Sequence, residues 1–463
     1  MKSKQKDSTT TVLWFRRDFR LQNNPAFNFA ISQRGPVLAV YIENTGPDLS
    51  WRPGAASRWW CHNSLLALSD KLAEQGVELK YFRGDAGKLI PSIIHEAGAT
   101  SICWNRLYEP DELKLDQSIE QSLDGLAVHK FDSHLLFPPG TLLNQQDQAY
   151  RVFTPFWKKA RVRLDFEGVN PVIRKPCNKI TGYTKRLRDE CSLEKLGLLD
   201  EHNWHTKLEQ HWVPGEDAAL KTAKRFIKNK IESYETQRDI PSVQGTSRLS
   251  PHLHFGEITT TQFVSSLLKE DWPGTHLSSV ERCLTQLGWR EFSHHILWHF
   301  PHTVSKPMND KFKNFWPKKG DHKYLNAWKT GTTGISIVDA GMRELWETGS
   351  MHNRVRMIVA SFLTKNLGIH WLHGAKWFWD TLVDADLANN TLGWQWVAGC
   401  GVDAAPYYRV FNPYTQTKKF DEEQKYIKKW IPEIDAPSLA PIVDIKKSRV
   451  VALEKYRKIS TIR

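Results

Sequence analysis

The runs Thr11-Val-Leu-Trp-Phe15 and Val37-Leu-Ala-Val-Tyr-Ile42 give the first indication of the fold. Both are short, continuously apolar and rich in β-branched or aromatic residues, which is typical of strands buried on both faces. Three further short strands are predicted at Leu79-Lys-Tyr-Phe82, Ser101-Ile-Cys-Trp104 and Val128-His-Lys-Phe131. Helical patterns lie between them at residues 57–75, 86–97 and 111–123. This alternation predicts a doubly wound parallel sheet.

Residues 105–109 come directly after the predicted fourth strand. Ligands bind at the carboxyl ends of the strands in such sheets, so Asn105 and Glu109 are candidate ligand contacts. A surface loop explains these two residues about as well. The sequence contains no GxGxxG or GxxxxGK[ST] motif, and it therefore gives no support for NAD or ATP binding.

The pattern changes after the fifth predicted strand. Proline, glycine and charged residues predominate up to His205 and predict a long linker, in which Phe156–Arg163 is an aromatic, basic helix with a solvated face. From about Ala218 the apolar spacing is helical, without a convincing strand. We therefore predict an α/β plus all-α protein, with a doubly wound domain at 1–135, an interdomain linker at 136–205 and a helical domain at 206–463.

The composition favours an anionic partner. The 463 residues include 20 tryptophans and carry a net charge of +13. This balance favours nucleic acid as a partner, although a basic protein without such a partner has the same composition. The six cysteines are scattered without a CxxC pair, which indicates reduced intracellular thiols and no metal site. Neither a secretory signal nor a membrane span is predicted, so we expect a cytoplasmic protein.

The helical part contains one unusual stretch, Asp384-Ala-Asp-Leu-Ala-Asn-Asn-Thr-Leu-Gly-Trp-Gln-Trp396, which reads as a helix. Four polar side chains crowd its first turn and a half, and two tryptophans close it. Polar groups beside indoles are costly to bury without hydrogen-bond partners. The stretch is therefore either a ligand-binding wall or a polar loop that feeds a buried aromatic helix. Trp394 and Trp396 point about 200° apart on a helix and cannot share one core face.

Three further motifs admit both a structural and a functional explanation. In Gly245-Thr-Ser-Arg-Leu-Ser-Pro-His252, Ser250 and Pro251 indicate a helix start, which is either a cap alone or a phosphate cradle. In Met351-His-Asn-Arg-Val-Arg-Met357 the two arginines face different ways, so one can serve a buried anion and the other the surface. In Gln286-Leu-Gly-Trp-Arg-Glu-Phe292 the glutamine and the tryptophan share one face of a helix, and the side chains of Arg290 and Glu291 point away from that face.

Together, in this order and after an α/β domain, the four motifs resemble the DNA photolyase/cryptochrome family. The resemblance extends from about Val12 to Trp430 and includes Leu13-Trp-Phe-Arg-Arg-Asp-Phe-Arg-Leu21 and Asp403-Ala-Ala-Pro-Tyr-Tyr-Arg-Val-Phe-Asn-Pro413. It implies an N-terminal antenna domain and a C-terminal helical domain that binds one non-covalent FAD. It also implies light-driven repair of ultraviolet-damaged DNA. The lesion is flipped into a pocket over the flavin, and an electron from the excited, reduced flavin splits it.

The resemblance assigns roles residue by residue. The positions that hold FAD are matched by Tyr234, Thr246, Ser247, Leu249, Ser250, Arg356, Asp384, Asp386 and Asn390. Among these, Arg356 and Asp384 match a pair beside the flavin, Asp386 a position at the ring edge and Asn390 one near N5. The electron relay for photoreduction is matched by Trp394, Trp371 and Trp316.

The lesion and antenna positions follow from the same resemblance. The aromatic pair that sandwiches the lesion is matched by Trp289 and Trp396, and other pocket positions by Gln286, Asn353 and Met357. Phosphate-contacting positions are matched by Arg238, Arg290, Arg354 and Arg409. Asn105 and Glu109 resemble antenna contacts, with methenyltetrahydrofolate favoured over a deazaflavin or an empty site.

The sequence departs from the family pattern in the pocket. Photolyases that act on cyclobutane dimers usually carry Glu at the position of Gln286, and a glutamine donates an N–H bond but no acid proton. Photolyases for the (6-4) product share the glutamine but need histidines at the positions of Asn353 and Met357, so that activity is not expected. Cys283 and Ser350 stand where the best-known bacterial photolyases have tryptophans.

Two functions therefore remain open at the level of sequence. The first is light-driven splitting of cyclobutane pyrimidine dimers. The alternative is a cryptochrome-like blue-light photoreceptor that uses flavin photoreduction without repair. Asn390 favours the photolyase, and so does the short stretch of about 50 residues after Pro413, which offers no long signalling tail. By resemblance we expect a monomer that binds damaged DNA and no membrane.

Overall fold

The N-terminal part of the chain is built around a parallel sheet. The structure is a computed structural model that describes residues 9–47, 49–168, 171, 180–199, 204–317, 321–404, 408–433 and 439–460. The five strands are β1 Thr10–Phe15, β2 Val37–Asn44, β3 Leu79–Gly84, β4 Ala99–Asn105 and β5 Ala127–Phe131. Their order in the sheet is β3-β2-β1-β4-β5, with every pairing parallel. The connecting helices are α1 Pro25–Ser32, α2 Ala55–Glu74, α3 Ala86–Ala97 and α4 Pro110–Ser122.

The central strand explains why continuous apolar runs predicted this sheet. All six residues of β1 are buried, because helices cover both faces of the sheet. Leu13 and Phe15 point into one core with α1 and α2, whereas Val12 and Trp14 point into the other with α3. The predicted doubly wound parallel sheet is confirmed.

The rest of the described chain is helical. Its helices are α5 Phe153–Glu167, α6 Thr206–Glu209, α7 Glu216–Asn229, α8 Tyr234–Gln237, α9 Ser250–His254, α10 Thr260–Leu268, α11 Leu277–His299, α12 His322–Thr330, α13 Ser336–Thr348, α14 Asn353–Ser361, α15 Trp371–Thr381, α16 Leu387–Ala398, α17 Pro413–Phe420, α18 Lys425–Trp430 and α19 Ile445–Ser460. A π-helical segment, Phe362–Asn366, continues α14. In the described part of the chain, no helix is both long enough and apolar enough to span a bilayer.

Helix α5 has the solvated face that was predicted from the sequence, and it also has a buried one. Phe156, Ala160 and Leu164 recur every four residues and are buried against the helical core. Trp157 approaches α11 closely at Gly288, where a Cβ atom would lie 2.4 Å from the indole. Only the opposite face of α5 is solvated, so this helix is a packed part of the molecule.

A buried carboxylate joins the sheet part to the helical part. Glu257, which follows α9, is fully buried and accepts hydrogen bonds from the Trp60 indole at 3.1 Å and the Ser64 hydroxyl at 2.5 Å, both on α2. The backbone N–H of Gly215 donates to the same carboxylate at 2.6 Å, and His252 contacts its second oxygen. A buried charge is tolerated when it is hydrogen-bonded in this way, and here it fixes α9 relative to α2.

Lys365 is a buried cation in the helical part. Its ammonium group lies 4.3 Å from the centroid of the Tyr408 ring and donates a hydrogen bond to the Arg409 carbonyl. Burial lowers the pKa of Lys365 to about 7 from an ordinary value of 10.5. Between these two values the folded chain binds fewer protons than the unfolded chain, so the stability of the fold increases as the pH rises.

We expect the Lys365→Met variant to lose this pH dependence. The free energy of unfolding of the unmodified protein should increase between pH 7 and pH 10 by up to about 1.4 kcal/mol per pH unit from this group. The variant keeps the apolar length of the side chain without the titrating amine, so its curve should be flatter. Urea unfolding at several pH values measures the difference. Parallel curves for the two proteins would contradict the pKa assigned to Lys365.

Candidate active site

The site forms where α9, α11, α14 and α16 meet. Helix α16 begins at Leu387, three residues after the start of the predicted helix, because Asp386 serves as its N-cap and accepts a hydrogen bond from the Asn389 N–H at 2.8 Å. Asp384 therefore lies in the preceding turn. This arrangement leaves two carboxylates at the entrance of one helix, each with its own partners.

Asp384 binds a hydroxyl and a guanidinium. The Ser250 hydroxyl donates to Asp384 Oδ2 at 2.7 Å, and Arg356 Nη2 lies 3.1 Å from both carboxylate oxygens. Arg356 also donates through Nε to the Met351 carbonyl at 2.7 Å. The interpretation of Ser250 as a helix cap alone is wrong, because α9 begins at Ser250 itself and its hydroxyl is directed to Asp384. The motifs at 245–252, 351–357 and 384–396 thus meet at one carboxylate.

Asp386 lies among histidines that the sequence analysis missed. His254 Nδ1 and His294 Nε2 each lie 3.4 Å from Asp386 Oδ2, and all three residues are buried. Burial raises the pKa of Asp386, but attraction to His294 and His254 outweighs it and holds that pKa well below its ordinary value. An ionised carboxylate is a hydrogen-bond acceptor, which suits the N–H group at the edge of a flavin ring.

The histidines around Asp386 could supply ligand atoms to a metal ion, but a positive charge beside them makes the position unfavourable for a cation. His134, His294 and Asp386 bring ligand atoms within 4.8 Å of one another. The guanidinium of Arg290 donates to His134 Nε2 at 2.8 Å. This arrangement places a fixed positive charge beside the position that a cation would occupy. We assign no metal here.

The loop before α9 contains further predicted cofactor contacts. Thr246 and Ser247 are partly exposed, whereas Leu249 is buried in the core beside the loop. Gly245 lies against α8, where a Cβ atom would come within 2.8 Å of Gln237. Tyr234, the first residue of α8, is buried beneath the Arg238 guanidinium, 5.5 Å from its ring. Tyr234 and Leu249 thus belong to one core beside the loop, and the cofactor contacts of Thr246 and Ser247 stay a prediction.

Asn390 lies on the first turn of α16. Its amide nitrogen donates to the Ala375 carbonyl on α15 at 3.0 Å. Among the described residues its amide oxygen has no partner. The side chain is thus fixed through its donor and offers an acceptor, which is compatible with the predicted position near flavin N5.

The predicted lesion pocket has two indoles on neighbouring helices. Trp289 on α11 and Trp396 on α16 are both half-buried, and the two helices pack against each other. Gln286 lies one turn before Trp289, and its amide oxygen accepts a hydrogen bond from Arg238 at 3.0 Å. Asn353 and Met357 occupy one face of α14, with the Asn353 amide 3.9 Å from the Met357 sulfur.

The four arginines predicted to contact phosphate differ in their availability. Arg409 is exposed and lies 5.9 Å from the Trp396 ring, and Arg354 lies over Phe420 and pairs with Asp239 at 2.9 Å. Arg238 is partly buried beside Gln286. Arg290 is only 8% exposed and is bound by His134 and the Leu253 carbonyl. A buried guanidinium with these partners is not accessible to DNA, so the predicted phosphate contact of Arg290 is not supported.

The three predicted relay tryptophans are buried. Trp394 contacts Phe378 on α15, with ring centroids 5.0 Å apart, and its indole fills the space that a Cβ at Gly374 would occupy. Trp371 begins α15, one turn before Gly374. Between Trp371 and Trp316 lies His370, whose ring centroid is 5.7 Å from the first and 5.2 Å from the second. The sequence analysis missed this imidazole, whose pKa burial lowers to about 4, so the ring is neutral near pH 7.

The two predicted antenna residues are not on a surface loop. Asn105 is 3% exposed and donates to Asn24 at 2.7 Å and to Asp18, and Glu109 is 5% exposed and pairs with Arg17. The surface-loop alternative is therefore wrong. The role of these residues toward an antenna chromophore stays a prediction.

The donor set of the site fits a flavin dinucleotide. The Ser250 hydroxyl, a guanidinium paired with a carboxylate and a second carboxylate with a depressed pKa lie around the start of α16. Arg238 Nε and Nη1 are buried and lack a hydrogen-bond partner among the described residues. Buried donors of this kind normally have an acceptor, so a large anionic cofactor suits the site.

Comparisons with known proteins agree with this geometry. Residues 11–176 match the family model described as DNA photolyase, and residues 283–449 match the FAD binding domain of DNA photolyase. The chain is 41% identical over 465 residues to a deoxyribodipyrimidine photo-lyase of Agrobacterium fabrum, which covers 96% of this chain and 93% of that protein. It is 35% identical to cryptochrome-2 of Arabidopsis thaliana, with coverage of 97% and 76% respectively. A bacterial class III photolyase from Agrobacterium tumefaciens matches with a TM-score of 0.90 and 38% identity over 99% of both chains.

The parallel sheet and the helical cofactor site therefore define a photolyase-like flavoprotein. The chain belongs to the DNA photolyase/cryptochrome family, and its C-terminal part contains the FAD-binding domain of that family.

Proposed function

We propose that this protein splits cyclobutane pyrimidine dimers in DNA with the energy of light. The observation that carries the proposal is the pair of half-buried indoles, Trp289 and Trp396, on the packed helices α11 and α16, the second of which begins at the candidate cofactor-binding carboxylates. Half-buried indoles offer flat surfaces for stacking a base that has left the duplex. The photo-lyase of Agrobacterium fabrum, named for deoxyribodipyrimidine, supports the same substrate class.

Bound FAD supplies the light-driven electron transfer, and the protein supplies binding and position. Arg356 and Asp384 orient the cofactor through a charge pair that Ser250 completes. Asp386 stays ionised and would accept a hydrogen bond from an N–H group at the edge of the flavin ring. Asn390 would accept a hydrogen bond from a protonated ring nitrogen through its amide oxygen. Trp289 and Trp396 hold the dimer and exclude water from it.

DNA binding uses the positive charge around the pocket. Arg409 beside Trp396, Arg354 beside Met357 and Arg238 beside Gln286 are cations that contact the proposed lesion residues. Phosphate contacts position the duplex and do not depend on sequence, which suits an enzyme that must recognise damage in any sequence. The net charge of +13 has the sign that this binding requires.

A repair assay tests the proposal. The purified protein is reduced chemically, mixed with an oligonucleotide that carries one cyclobutane thymine dimer, and illuminated with blue light. We expect the absorbance of intact thymine to return with the dimer but not with a (6-4) product. If neither substrate recovers while the flavin is still photoreduced, repair by this protein is excluded.

That second outcome defines the alternative function, a photoreceptor that uses flavin photoreduction without repair. The observation that favours it is Gln286, whose amide oxygen is already bound to Arg238 in the lesion pocket. The similarity to cryptochrome-2 of Arabidopsis thaliana is compatible with this alternative. The repair assay separates the two functions because it monitors substrate and flavin independently.

We expect the Gln286→Glu variant to give a higher repair yield for cyclobutane dimers. A glutamate at this position replaces the amide with a carboxylate and keeps the contact with Arg238 as an ion pair. A charged group forms stronger hydrogen bonds than an amide, so the carboxylate should bind the dimer more strongly. The yield per absorbed photon under limiting light measures the effect. The control is Gln286→Leu, which preserves bulk without a polar group and should lower the yield. An unchanged yield in Gln286→Glu would show that the glutamine does not limit repair.

We also propose an antenna chromophore in the sheet part, with methenyltetrahydrofolate favoured, and a monomeric protein. The observation for the antenna is the buried polar group of Asn105, Asp18 and Asn24 at the carboxyl end of the central strands, where ligands of such sheets bind. Heat release of chromophores from the purified protein and their separation by chromatography test the first point. Recovery of FAD alone would contradict it.

A further inference from the structure

Asp386 is a buried carboxylate whose two oxygens have different partners. Oδ1 accepts the Asn389 N–H at 2.8 Å and caps α16. Oδ2 faces two imidazoles, because His254 Nδ1 on α9 and His294 Nε2 on α11 each lie 3.4 Å from it. The side chain of Asp386 is 3% exposed, and those of His254 and His294 are 5% and 1% exposed. A charge buried to this extent needs a counter-charge or a full set of hydrogen bonds.

The guanidinium groups around this cluster have other partners. Arg17 pairs with Glu109. Arg290 donates to His134 Nε2 at 2.8 Å and lies 3.8 Å from Glu291. In the described part of the chain, the carboxylate on α16 is therefore paired with imidazoles alone. A metal ion would compete with Arg290 for the His134 nitrogen, whereas a proton on an imidazole that faces only the carboxylate does not.

The three imidazoles of the cluster differ in their surroundings. His134 accepts a hydrogen bond from Arg290 through Nε2, and burial together with this guanidinium holds its pKa well below the ordinary value. Burial also lowers the pKa of His254. Among the described residues, neither ring nitrogen of His294 has a hydrogen-bond partner, and its Nε2 faces Asp386. His294 is therefore the imidazole that is left to supply the counter-charge.

We propose that His294 is a positioning residue that holds a proton as the counter-ion of Asp386 and thereby favours the reduced state of the flavin. The inference rests on the proposed function, in which Asp386 meets the flavin ring edge and the reduced flavin donates the electron for repair. The reduced flavin ring is an anion near neutral pH, whereas the oxidised ring is uncharged, so nearby charges shift the balance between them. An unpaired carboxylate at the ring edge repels the anion. A protonated His294 offsets that repulsion, so the form of the cofactor that repair requires is easier to reach and to hold.

The test measures the ratio of reduced to oxidised flavin at one fixed potential, near neutral pH and without oxygen. The purified, FAD-loaded protein is equilibrated in the dark with a reductant and a reference redox dye, and both are read by absorbance. His294→Gln keeps an N–H donor toward Asp386 but removes the positive charge, and we expect the ratio to fall by about tenfold, the order of one screened charge interaction inside a protein. Adding Asp386→Asn removes the unpaired charge and retains an oxygen that caps α16. The ratio in this double variant should return to within about twofold of that in the unmodified protein.

The matched control is His295→Gln, at the next residue of α11. His295 is 3% exposed, but its ring packs on Phe156 and His299, with centroids 5.0 and 4.6 Å away. This variant also loses a buried imidazole and should keep the flavin ratio of the unmodified protein. The melting temperature of each FAD-loaded protein gives a second readout. It should fall in His294→Gln and recover in the double variant, because a buried pair costs most when only one partner is removed.

Two results would overturn the inference. The first is an unchanged flavin ratio in His294→Gln, whatever its melting temperature. The second is a fall that the double variant does not restore or that His295→Gln shows as well, which would make His294 a residue of general stability. Failure of the proposed function looks different, because the unmodified protein would then repair no dimers although its flavin ratio responded to these substitutions.

Discussion

Replacing Trp396 with alanine is expected to weaken the binding of dimer-containing DNA by roughly 5- to 150-fold, because stacking of a base on an aromatic side chain contributes about 1–3 kcal/mol. Trp396 is half-buried, is held by the Asp403 carbonyl and lies beside the exposed Arg409. Undamaged DNA binds mainly through phosphate contacts, so its affinity should change little. Fluorescence anisotropy with both DNAs at one fixed salt concentration measures the two effects.

Trp346 provides a matched control. It is 45% exposed and packs against Trp204 and Trp377, away from the proposed pocket contacts. The Trp346→Ala variant removes a similar aromatic surface and should retain the affinity for damaged DNA. An unchanged affinity in Trp396→Ala would remove this residue from the lesion pocket, and equal losses in the two variants would indicate general destabilisation.

Replacing Trp394 with phenylalanine is expected to slow photoreduction of the oxidised flavin by at least about tenfold, which corresponds to about 1.4 kcal/mol in the activation free energy. An indole is oxidised more easily than a benzene ring, so phenylalanine interrupts the relay to Trp371 and Trp316. Phenylalanine still fills most of the site between Gly374 and Phe378 and should preserve the fold. Repair by chemically reduced protein bypasses the relay and should stay largely intact.

The control for this experiment is the neighbouring Trp328. It is fully buried, its ring lies 6.2 Å from Trp394, and its indole donates to the Val359 carbonyl at 3.0 Å. Trp328→Phe replaces an indole with a phenyl ring in the same core, but Trp328 lies outside the predicted relay. Flavin photoreduction in this variant should therefore resemble that in the unmodified protein. Loss of both photoreduction and repair in Trp394→Phe would show that Trp394 has a structural role.

The predicted relay tryptophans contact a group that the tryptophan pattern did not reveal. His370 lies between Trp371 and Trp316, and its depressed pKa keeps the imidazole uncharged at neutral pH. A neutral ring adds no electrostatic barrier to a positive charge that moves between the two indoles, whereas an imidazolium would. All three tryptophans are buried, and the outermost, Trp316, is 6% exposed and donates its N–H to Thr364.

The sequence by itself determined the two architectures, and the family resemblance supplied the predictions for the site residues. Apolar runs of five or six residues specified the buried strands, since only a strand covered on both faces needs them. The divergence of Trp394 from Trp396 followed from helix geometry alone, and the structure places them in different surroundings. The resemblance implied that Arg356 and Asp384 form a pair, whereas the contact of Ser250 with Asp384 appeared only in the structure.

Only the tertiary structure decided which partners the polar groups have. Ser250 looked like a cap but binds Asp384, and Arg290 looked available to DNA but binds His134. These outcomes depend on side chains that are distant in sequence, and a local pattern carries no information about them. Sequence periodicity reports which face of an element is buried, whereas the contacts made by that face follow from packing of the whole chain.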